Sequence, residues 1–75
     1  MRNKLSPMKY KIGDIVVFMV EGDKKPGEIY VADYGGSLFS ENHSYDIFVE
    51  SDNGMLYKHI VETDIVLKIR EEQHD

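Results

Sequence analysis

From Lys11 onward the chain breaks into short apolar runs separated by turn-forming residues, and the period within each run is two. That period and the absence of any long 3.6-residue repeat predict strands and no long helix. After the turn-like pair Gly13-Asp14 comes Ile15, Val16, Val17, Phe18, a β-branched and aromatic run read as the opening strand within residues 10–20. Ile12, Val16 and Phe18 fall on one face and Ile15, Val17 and Met19 on the other, so both faces are apolar and the strand is covered twice or meets a partner. Residues 21–26, EGDKKP, collect turn formers and predict a solvated loop. Residues 27–33 alternate again, with Ile29 and Val31 inward against Glu28, Tyr30 and Ala32. Residues 34–44 form the longest irregular stretch, with Gly35-Gly36 and an apolar Leu38-Phe39 inside it. In residues 45–51, Tyr45, Ile47 and Val49 share a face opposite Asp46, Phe48 and Glu50. Asn53-Gly54 then supplies the two positive φ values of a type I′ hairpin turn into residues 55–59. Residues 60–64, IVETD, predict a single 3₁₀ turn, and residues 65–69 a last strand. Five short strands predict an all-β fold, a small five-stranded barrel, a closed form that removes exposed sheet edges. The expected layout is a flexible leader over 1–8, one domain over 9–69, and a disordered charged tail over 70–75.

The 75-residue length limits the core, because a chain of this size buries only about 60% of its unfolded surface. There is no cysteine to form a disulfide. His43, His59 and His74 lie far apart with no i, i+4 pair, so no metal and no cofactor is expected to staple the fold. Barrel closure or self-association is then the remedy, and a homodimer is one expectation. Fourteen acidic residues against nine basic ones give a net charge of −5. That charge opposes attraction to phosphate backbones and anionic lipid and favours a basic partner. No apolar run approaches the roughly 20 residues of a membrane-spanning helix, and residues 1–8 lack the apolar region of a secretory signal, which implies a cytoplasmic location.

KIGDIVVF, PGEI, YDIFVESDNG and VETDIVLKI, taken together over residues 11–69, resemble SH3-like small β-barrels of the KOW and Tudor type. In such domains a Gly-Asp turn opens the first strand, a Gly precedes the second, and a short acidic turn leads into the last. The resemblance implies a binding module without chemistry of its own, and fold alone does not fix the ligand. The acidity of this chain and its longer loop over 34–44 set it apart from the nucleic-acid-binding members.

His43, Ser44 and Asp46 include the residue types of a nucleophilic triad, but adjacent positions do not give the geometry that such a triad needs, so no catalytic residue is assigned. Glu28, Asp46 and Glu50 read as a solvated face, not as paired glycosidase carboxylates. Gly35-Gly36 is followed by no GK[ST] and is not a phosphate loop. Binding surfaces carry more. With Ile29 and Ile47 inward, Tyr30 and Phe48 point outward from neighbouring strands among Glu28, Asp46 and Glu50, an aromatic patch in an acidic rim. These five are the expected protein-binding residues; the bland reading is cross-strand pairing that only steadies the sheet. Two rival sites are an aromatic cage drawn from Tyr10, Tyr30, Tyr34, Tyr45 and Tyr57, and a nucleic-acid surface of Lys24, Lys25, Tyr34, Phe39 and Lys58. The function expected is a noncatalytic protein-interaction module. It has the character of a small phage or bacterial regulator or inhibitor whose acidity imitates nucleic acid, with a nucleic-acid-binding KOW-like domain as the alternative.

Overall fold

The computed structural model describes residues 7–35 and 42–69, so most of the expected leader and all of the expected tail lie outside the described residues. The architecture is all-β. Strands β1 (Ile15–Val20), β2 (Asp23–Asp33), β3 (Ser44–Val49), β4 (Met55–Val61) and β5 (Ile65–Lys68) form one antiparallel sheet in the order β4-β3-β2-β1-β5. This is the five-stranded β fold expected from the alternation. The sheet does not close into a barrel: β4 and β5 are its two edges and share no ladder. A 3₁₀ turn at Glu62–Asp64 separates them, and the chain leaves β4 to pair along the free side of β1.

Why these residues pair is clearest at the turns. Glu21 and Gly22 have φ of 52° and 86°, the two positive values that a primed two-residue hairpin loop requires. The loop expected over 21–26 therefore shrinks to two residues, and Asp23 to Glu28 pair with β1. Pro26 opposes Val17 at a point where the β2–β3 ladder, which starts at Glu28, has ended. One flank of the strand is free there, the kind of place where a residue without an N–H is tolerated. Asn53 and Gly54 do take positive φ, 60° and 71°. They complete a longer connection than a type I′ turn, because Glu50–Asp52 winds into a 3₁₀ turn first.

One face of the sheet holds the core. Val16, Phe18, Ile29, Tyr45, Ile47 and Val49 are fully buried, with Ile60 and Ile65 closing the cluster. Gly27 is buried among them: a β-carbon there would lie 2.6 Å from the Ile47 Cγ2 and 2.8 Å from the Phe48 carbonyl oxygen. Two polar clamps fasten the entry of the chain to this core. At Gly13-Asp14, the Gly13 N–H donates to the Ile29 carbonyl and the Ile29 N–H to the Asp14 carbonyl, both at 2.9 Å. The Asp14 carboxylate accepts the Lys11 N–H at 2.9 Å and faces the Lys11 and Lys68 ammoniums at 3.2 and 3.6 Å. Burial works against its charge, but the Lys11 hydrogen bonds and the two cations outweigh burial and hold its pKa below the usual carboxylate value. At the second clamp, Glu62 accepts the buried Tyr45 hydroxyl at 2.6 Å and the Lys9 N–H at 3.0 Å. Met8 and Tyr10 pack on the core.

Two outcomes follow from this packing. Gly27→Ala is expected to cost about 1–3 kcal/mol, the usual price of overpacking, read as a lowered denaturant midpoint; an unchanged midpoint contradicts the close approach. Glu62 is desolvated, which alone raises its pKa, yet its hydrogen bonds with Lys9 and Tyr45 and the field of His43 bring it below the ordinary 4.5. A carboxylate whose folded pKa is depressed contributes stability above its unfolded pKa and loses it as pH falls through the lower folded value. Glu62→Gln is therefore expected to flatten the fall in stability below about pH 4.5, measured by denaturation at several pH values, while an unaltered acid limb contradicts the clamp.

Candidate functional site: an aromatic groove on the outer sheet face

Alternation in β2 breaks at one residue. Ile29 opposes Ile47 and Val31 opposes Asp46, so Tyr30 is an extra residue, a β-bulge against β3. Beyond it the faces exchange: Val31, expected inward, is 45% exposed, and Ala32 packs on the core instead. Tyr30 lies outside the core, where its ring stacks on that of Phe48 with centroids 4.9 Å apart and an interplanar angle of 9°. Phe48 projects from β3 opposite Glu28, and its ring tip would lie 3.4 Å from a β-carbon at Gly54. Phe48 is thus half-buried between Tyr30 and the β3–β4 connection, and Tyr30, 46% exposed, is the ring with more open surface.

The pair lines an open groove of about 630 Å³ together with Ile15, Pro26, Glu28 and Glu50. That volume falls within the range of roughly 300–1,000 Å³ common for ligand sites, although an open groove encloses less of its occupant than a cleft. Four of the five expected protein-binding residues, Glu28, Tyr30, Phe48 and Glu50, meet here. Asp46 stands apart. A second bulge, in β4, gives His59 a φ of 60°, and the Asp46 carboxylate accepts the His59 N–H at 3.1 Å. Ile15 and Pro26 were not among the expected site residues. The two-faced apolar pattern of β1 pointed to Ile15, whereas Pro26 was hidden by its reading as loop.

Among the described residues of the rival nucleic-acid surface, Lys24 and Lys25 lie far from Tyr34. The lysines are near the start of β2 and the tyrosine just past its end, about 30 Å apart at the usual rise per residue. Lys25 is paired with Asp52 at 3.0 Å, and that carboxylate also accepts the Tyr57 hydroxyl. Lys58 is exposed on the edge strand β4, and Phe39 lies outside the described residues. The five tyrosines of the rival cage also disperse. Tyr10 meets Tyr45, Tyr57 meets Phe18, Tyr30 meets Phe48, and Tyr34 lies 4.6 Å from the ring of His43. His43 is buried, and its Nδ1 accepts the Gly35 N–H at 2.8 Å.

A double-mutant cycle on Tyr30→Ala and Phe48→Ala is expected to give a coupling of about 0.5–1.5 kcal/mol, the worth of an aromatic pair beyond its area, with both single variants still folded. Additive effects contradict the stack. Compared with known proteins, the chain matches no family model, no curated protein and no solved structure.

Proposed function

We propose that this chain is a noncatalytic protein-interaction module whose contact surface is the groove of Tyr30, Phe48, Glu28 and Glu50. The observation that carries the reading is the stacked Tyr30–Phe48 pair, left open to solvent on the face away from the core with carboxylates beside it. Stacked rings held by backbone register are already ordered, so a partner that covers them loses little side-chain entropy on their account. Aromatic residues are also the commonest anchors of protein interfaces. The acidic flank and the net charge of −5 favour a basic partner. The same features suit a small regulator or inhibitor that occupies a basic groove on another protein, and the likeness to SH3-like barrels of the KOW and Tudor type agrees with a binding role.

The test is retention from the native cell extract on immobilised protein, with and without nuclease. The wild-type chain is expected to retain a protein that nuclease does not release. Phe48→Ala and the charge-reversed pair Glu28→Lys with Glu50→Lys are each expected to lose it to the level of the bare support. Retention of nucleic acid instead, abolished by nuclease and by replacing Lys24 and Lys25, would favour the nucleic-acid alternative.

A further inference from the structure

The groove is part of a wider face that becomes visible through the strand register. Directly opposed residues of an antiparallel ladder project to the same side. Leu56 opposes Phe48, Phe48 opposes Glu28, Glu28 opposes Ile15, and the Ile69 N–H donates to the Ile15 carbonyl at 2.8 Å. These five residues make one row across β4, β3, β2, β1 and the residue that follows β5, on the side away from the core. The next rung places Pro26, Val17 and Leu67 together. Leu56 and Ile15 are each 36% exposed, Ile69 40% and Leu67 48%. An apolar band of this extent marks an interaction site more often than scattered exposure does.

Glu28 is the charged member of that row, and Glu50 stands on the groove wall beside it. Among the described residues neither is in an ion pair, whereas Lys25 is held by Asp52 and Lys68 by Asp14. Lys24 shares the face but lies four residues from Glu28 along β2, roughly 13 Å away. The band therefore presents apolar surface around Glu28 and Glu50, and Tyr30 lines the same groove.

We propose that this face docks an amphipathic cationic segment of a partner protein, in which an arginine flanked by apolar residues seats its guanidinium on Tyr30 between Glu28 and Glu50. The proposal rests on the interaction reading above and names the chemistry of its partner. Arginine fits better than lysine, because its planar, weakly hydrated guanidinium stacks on an aromatic face while donating to two carboxylates. A second copy of the chain fits worse. An isologous contact sets the same patch against itself, which brings Glu28 and Glu50 of both copies together on molecules that each carry −5.

The test is an amide-shift titration of the isotope-labelled full chain with the capped peptide Gly-Val-Leu-Arg-Val-Ser-Gly and with counterparts carrying lysine or citrulline in place of arginine. The arginine peptide is expected to shift Ile15, Glu28, Tyr30, Phe48, Glu50, Leu56 and Ile69. It is expected to bind roughly tenfold tighter than the uncharged citrulline peptide, with lysine between them. The paired variant Glu28→Gln with Glu50→Gln, whose unbound spectrum reports that it remains folded, is expected to erase the preference for arginine. Equal binding of the arginine and citrulline peptides, shifts elsewhere, or no binding at all would overturn the proposal. Concentration-dependent shifts of the same residues without peptide would overturn it in favour of a second copy. If no peptide binds while Phe48→Ala still abolishes protein retention from extract, the arginine proposal falls and the interaction reading stands.

Discussion

A single extra residue in β2 decides what this protein shows to solvent. A sheet with one buried face must keep every strand in register with its neighbours, since a slip of one position exchanges inside for outside. Tyr30 absorbs such a slip. Before it, Ile29 meets Ile47 in the core; after it, Val31 turns outward and Ala32 inward, opposite Tyr45. The tyrosine itself is outward by alternation from the buried Ile29, and it lies against Phe48, whose outward direction is fixed by its neighbours Ile47 and Val49, both fully buried. Core packing on one side of the sheet thus positions the aromatic pair on the other.

The edges of the sheet follow from the same constraint. Closing this β sheet into a barrel requires a ladder between β4 and β5, yet the inward demands of Ile60 and Ile65 on either side of the Glu62–Asp64 turn send the chain from one edge to the other. Glu62 on that turn binds the Tyr45 hydroxyl and the Lys9 N–H, so the entry of the chain is tied to the turn between the edge strands. Polar groups do the fastening where a domain this small has little apolar area left to bury. The charges at Asp14, Asp52 and Glu62 are used internally, whereas Glu28 and Glu50 are left at the groove.

Much of this was legible in the residues. The alternation of Tyr45, Ile47 and Val49 points to β3, the 3₁₀ turn expected over 60–64 is found at Glu62–Asp64 with Ile60 and Val61 taken into β4, and Tyr30, Phe48, Glu28 and Glu50 are expected on one surface. What escaped depends on partners distant in the chain. A bulge is a property of two strands, so neither the turning out of Val31 nor the engagement of Asp46 by His59 can be read from a run of side chains alone. The short turn at Glu21-Gly22 was obscured because lysines and a proline follow it, and these form strand only because β1 supplies the ladder. The burial of His43 was hidden for a similar reason, since its partners Tyr34 and Gly35 lie across the irregular stretch.

The central claim is that Tyr30 lies stacked on Phe48, outside the core. Nuclear Overhauser contacts from the Tyr30 ring test it most directly. The account predicts strong contacts with the Phe48 ring and none with Phe18, Val49 or Ile65, which lie across the sheet in the buried cluster. Contacts between the Tyr30 ring and those core side chains would contradict it.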